Sequence, residues 1–93
     1  MALKIFSNRG LVGLPQRPNR YTGAEIAQII NLPHGSSLTY IPMQGGGRMY
    51  HAAGGNKYSL PYNSTATMYS FPEAERKLIY GNALFLTEEE YPE

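Results

Sequence analysis

Apolar and polar positions alternate in short runs along this chain, and at two places they change to a helical spacing. "ALKIF", residues 2–6, puts Leu3 and Ile5 on one side of an extended strand, with Phe6 near its end. "SNRG" supplies turn residues, and "LVGL" over 11–14 reads as a short partner strand. "PQRPNR" carries two prolines, which block regular pairing and give an extended loop bearing Arg17 and Arg20.

The clearest helix signal is "YTGAEIAQIINLP". Thr22 can accept from the orphan backbone N–H groups of a first turn. Glu25, three residues on, can reach back to the N–H of Thr22, which makes a capping box. Tyr21 before the cap and Ile26 inside the helix can close as a hydrophobic staple. Ile26, Ile29 and Ile30 fall on one face, and Asn31 and Pro33 end the run, so the spacing predicts a helix over 23–31.

"SSLTYIPM" reads as a strand ended or edged by Pro42, and "RMYHAA" alternates Met49 and His51 against Tyr50 and Ala52. Between them "QGGG", residues 44–47, reads as a hairpin turn that needs positive φ. "KYSLPY" predicts a further extended piece, and polar "NSTAT" leads into "MYSF" as a short strand. A second helix is predicted over 72–80: Pro72 suits a first turn, Glu73 and Glu75 sit at its positive end, and Gly81 can close it. "ALFLT" reads as the last strand, followed by an acidic tail over 87–93.

These elements predict one small domain over 1–93, of α+β class. A mostly antiparallel sheet is packed by the amphipathic helix 23–31, with the short helix 72–80 as a second. The expected core is Leu3, Ile5, Ile26, Ile29, Ile30, Leu38, Ile41, Leu78 and Leu84. The order strand–strand–helix–strand–strand over 2–53 resembles the start of a β-grasp, the ubiquitin-like fold, with "YTGAEIAQIINLP" similar to the helix such folds lay across their sheet. A conjugatable modifier of that family ends in Gly-Gly, whereas Gly54-Gly55 is internal here and "EYPE" closes the chain. The resemblance therefore implies a fold and no activity.

Composition narrows the function classes. Only 16% of residues are charged, and there is no cysteine, which excludes disulfides, zinc–thiolate sites and a thiol nucleophile. No apolar run is long enough to span a membrane, and residues 1–10 lack the apolar core of a secretion signal. A cytoplasmic or virion-associated location is therefore expected. Charge is uneven: residues 1–57 carry six Lys and Arg against Glu25 alone, a net +5, whereas 58–93 carry a net −4. That polarity can steer a partner or let copies of the chain meet, or the two halves can neutralise each other within the fold.

The catalytic templates fail on spacing. The glycine stretch lacks the Gly-Lys-Ser/Thr of a phosphate loop, and Tyr50 stands where a dinucleotide fingerprint needs its third glycine. Two histidines, His34 and His51, fall on different elements, there is no aspartate, and no Gly-x-Ser-x-Gly elbow exists. The expectation is no enzyme, no cofactor and no metal. Asn63-Ser64-Thr65 matches an N-glycosylation acceptor by pattern alone.

The tyrosine and arginine content points instead to contact. Tyr and Arg are enriched at protein interfaces, and the mixture also suits base stacking with phosphate contact. The candidate partner-binding residues are Arg17, Arg20, Tyr40, Arg48, Tyr50, His51, Tyr58 and Tyr62. The expected function is a non-enzymatic protein–protein interaction module that binds another protein or copies of itself. The low charge and the Tyr, Gly, Asn and Pro content are similar to small bacteriophage proteins, either virion components or inhibitors of a host factor. Nucleic-acid binding through the Arg/Tyr surface of the N-terminal half is the alternative.

Overall fold

The computed structural model describes residues 2–8, 10–54, 59–70 and 78–92. Strands β1 (Leu3–Ile5) and β2 (Leu11–Gly13) form a hairpin, followed by helix α1 (Gly23–Ile29). A second hairpin, β3 (Leu38–Pro42) and β4 (Arg48–Ala52), is followed by helix α2 (Ser64–Ser70) and strand β5 (Ala83–Leu86). The five strands form one sheet in the order β2-β1-β5-β4-β3, antiparallel at every pairing. The α+β class and the antiparallel sheet are therefore as the sequence predicts. β5 enters the middle, with Leu84 opposite Lys4 on one side and Tyr50 on the other. A β-grasp runs its first and last strands parallel, so the likeness lies in element order through Ala52 and not in strand pairing.

Helix α1 forms for the reasons its sequence carries. Thr22 Oγ1 accepts from Glu25 N–H at 3.1 Å, and Glu25 Oε1 accepts from Thr22 N–H at 3.0 Å, so the capping box is complete. At the other end Asn31 takes φ 56°, and Leu32 N–H reaches back to Ala27 O at 2.9 Å. Asn31 N–H meanwhile donates to Gln28 O, so the helix closes in a Schellman turn two residues before the predicted end. Ile26 and Ile30 are buried with Tyr21, as the staple requires.

Side chains of the central strands divide between two cores. Tyr50, Leu84 and Leu86 join Ala2, Tyr21, Ile26 and Ile30 on the α1 side. Ile5, Ile41, Met49 and Ala83 join Ala66 and Ile79 on the α2 side. The sheet thus lies between the helices, and "ALFL" is apolar throughout because both faces of β5 are covered.

The strand expected after "NSTAT" is a correction. Residues 64–70, where "NSTAT" was expected to lead into a strand over "MYSF", are helical. Asn63 Oδ1 accepts from Ala66 N–H at 2.9 Å, which is what an N-cap does, and Thr67 N–H closes the first turn on Asn63 O. The buried face is Ala66, Thr67 and Ser70, so no apolar stripe advertises the helix. Thr67 and Ser70 become buriable by returning their hydroxyls to Asn63 O and Ala66 O, each at 2.9 Å. Residues 72–77 of the predicted helix over 72–80 lie outside the described residues, and 78–80 are not helical.

Leu78, placed in the core from sequence, is 54% exposed. Its neighbour Ile79 is fully buried instead, fixed by its N–H to Thr67 Oγ1 and its carbonyl to Asn63 N–H. The extended piece "KYSLPY" begins outside the described residues, and its last residue, Tyr62, makes a single bridge to Tyr80.

Candidate interaction surface

The triple glycine is a hairpin turn. Gly45 and Gly46 take φ 91° and 96°, Gly46 N–H donates to Met43 O, and Met43 N–H donates to Gly47 O at 2.7 Å. Gly47 is needed for another reason: a Cβ there would lie 2.6 Å from Phe85 Cε1 and 3.0 Å from Leu86 O. The turn shapes the backbone, and one of its three N–H groups is already committed.

Beyond the turn, strand periodicity gathers a cluster. Arg48 and Tyr50 are two residues apart on β4, and Tyr40 stands directly opposite Tyr50 on β3, so all three share one face. The Tyr40 and Tyr50 ring centroids are 5.3 Å apart. Arg48 Nη1 donates to Tyr50 Oη at 3.1 Å, and its Cζ lies over the Tyr40 ring at 4.2 Å and the Tyr91 ring at 3.9 Å. The bond to Tyr50 raises the Arg48 pKa above its usual value. Tyr40 is exposed and Arg48 half-buried.

Tyr91 was not among the expected site residues, because its segment reads as a solvated acidic tail. In the structure that segment is fastened. Arg20 Nη1 donates to Glu88 O at 2.6 Å and to Tyr91 O at 3.0 Å, and Tyr21 N–H donates to Glu90 O at 2.9 Å. Glu90 carboxylate accepts from Thr87 N–H and Oγ1, closing a turn that presents Tyr91. A single aromatic in an acidic stretch was the available signal.

The remaining candidates have other positions. Tyr50 is only 5% exposed and belongs to the α1-side core, where it supports Arg48. His51 is half-buried on the opposite face of β4, with Nδ1 3.1 Å from Ala52 O. Tyr62 is exposed and packs against Tyr80, 5.8 Å between centroids, outside the Arg48 cluster. Tyr58 lies outside the described residues.

Arg17 is committed to Glu25 by two bonds of 2.6 and 3.0 Å and lies over the Tyr21 ring. That bidentate bond, with the backbone N–H of Thr22, lowers the Glu25 pKa from the usual 4.5 to about 2. Because the folded pKa is depressed, the contribution is present above the unfolded value and is lost as pH falls through the folded one. Thermal stability is therefore expected to decline between pH 4.5 and about 2, less steeply in Arg17→Ala. Melting scans across that window check it. With the side chains 33% and 37% exposed, solvent screening keeps the effect modest.

Away from this cluster, a cleft of about 160 Å³ is lined by Ile30, Asn31, Pro33, Ala52 and Tyr80, among others. It contains none of the candidate residues, and ligand pockets generally run to about 300 Å³ or more. Among the described residues no three His, Cys, Asp or Glu gather to hold a metal, and no helix is long and apolar enough to cross a membrane. Comparison with protein-family models, curated proteins and solved structures yields no significant match to this chain.

Proposed function

We propose that the protein is a non-enzymatic protein–protein interaction module, of the kind small bacteriophage proteins supply as virion components or inhibitors of a host factor. The observation that carries this reading is the Tyr40–Arg48–Tyr91 cluster: a charged guanidinium over two rings, presented at the surface on a hairpin and a fastened turn. Arginine and tyrosine are the residue types that dominate interface hot spots, and here packing limits the entropy that binding would cost. The phage assignment rests on composition alone.

Less supports the nucleic-acid alternative. It needs several cations tracking a phosphate backbone, and Arg17 and Arg20 are occupied by Glu25 and by the carbonyls of Glu88 and Tyr91. Affinity capture from the native host, read by mass spectrometry, separates the two. A protein recovered by the wild type and lost with Arg48→Ala, at a melting temperature within a few degrees, is the expected result. Capture of nucleic acid alone, released by salt, would favour the alternative.

A further inference from the structure

Among the described residues, Arg48 is a half-buried cation without an anion. Its surroundings are phenols: Tyr40, Tyr50 and Tyr91. One N–H of the guanidinium goes to Tyr50 Oη, and among the described residues no carboxylate comes within ion-pair distance of the rest. Arg17 shows the contrast within the same chain, its fork closed on Glu25. The Glu88 side chain lies against the glycine turn, where a Cβ added at Gly46 would stand 2.9 Å from its Cδ, yet it makes no ion pair with Arg48.

We infer that the open edge of the Arg48 guanidinium is a receptor for a single carboxylate, the Asp or Glu side chain of a partner protein, which would seat beside the exposed Tyr40 ring. The inference rests on the interaction-module reading and specifies its partner's chemistry. Three features favour it. The guanidinium is planar and held by its Tyr50 bond and two rings, so it loses little freedom when a carboxylate closes on its fork. The rings lower local hydration without neutralising the charge, which strengthens a charge-assisted bond formed there. The site offers one fork and not a row of cations, so one carboxylate fits where a phosphate backbone does not.

The test is a titration of isotopically labelled protein at low salt, following the Arg48 Nε–H and Tyr40 ring resonances by nuclear magnetic resonance. The probe is an N-acetylated, C-amidated Gly-Glu-Gly, which carries one carboxylate, with Gly-Gln-Gly as its uncharged counterpart. A saturable shift of both resonances is expected for the acidic peptide, with a Kd of about 1 mM or below, and none for the neutral one. Arg48→Lys, which keeps the charge but not the fork, should weaken binding about tenfold while keeping the melting temperature within a few degrees of wild type. Unmoved Arg48 and Tyr40 signals would overturn the inference. So would equal binding by the lysine variant, or an oligothymidylate that binds at Arg48 more tightly than the peptide. If the peptide binds as expected but Arg48→Ala still captures every host protein the wild type does, the carboxylate site stands and the interaction-module reading of this surface falls.

Discussion

Asn63→Ala is expected to lower the unfolding free energy by about 3 kcal/mol, because one fully buried amide holds three parts of the fold together. Its Oδ1 caps α2 through Ala66 N–H, and its Nδ2 donates to Ile5 O at 3.0 Å and Gly81 O at 2.8 Å. Those carbonyls belong to the end of β1 and to the turn that starts β5. Losing the cap costs about 1 kcal/mol, and each lost buried bond costs about as much again. Asn63→Asp separates the roles. Aspartate caps a helix as well as asparagine does, but here its carboxylate would face two carbonyl oxygens where Nδ2 now donates. Urea denaturation should therefore find Asn63→Asp at least as destabilised as Asn63→Ala. A wild-type midpoint for the aspartate variant would show that the amide serves as a cap only. The same burial bears on the Asn63-Ser64-Thr65 pattern, since a fully buried amide is inaccessible to a glycan in the folded chain.

The other large effect belongs to the opposite face of the sheet. Ile26→Asp should abolish the cooperative thermal transition at neutral pH. Ile26 is fully buried among the apolar side chains of Ala2, Tyr21, Tyr50, Leu84 and Leu86. Removing an isoleucine from such a site costs about 2–5 kcal/mol, and an unpaired carboxylate adds several more. A domain of this length is stable by only about 5–10 kcal/mol in all. Gln28→Asp, two residues on at an exposed position of the same helix, is the control and should melt close to wild type. A preserved transition in Ile26→Asp would mean that α1 does not pack on the sheet through this face.

How much of the interaction surface is legible in the sequence follows from the reach of each contact. Arg48 and Tyr50 share a face because strand side chains repeat every second residue, and the glycine turn brings β3 back antiparallel with Tyr40 opposite Tyr50. That part is local. Tyr91 reaches Arg48 only because Arg20 and Tyr21 fasten residues 88–91 from about 70 positions away in the chain. No spacing rule reports such a bond. Nor does one reveal that Tyr50 is buried, since a tyrosine on a strand serves a core and a surface equally well.

By itself the sequence determined those elements whose signals lie within one helical turn or one hairpin. Thr22 with Glu25 started α1, Asn31 ended it, and the positive φ of Gly45 and Gly46 made the β3–β4 turn. It also determined the strands, whose apolar residues had to be covered. Tertiary structure decided what depends on partners distant in the chain. It placed β5 between β1 and β4, set helices on both faces, and made a helix of "STATMYS", whose buried side is small and polar. Such a helix is stable only where Asn63, Thr67 and Ser70 find acceptors and donors within a packed interior, so the contacts that justify it exist only once the chain has folded.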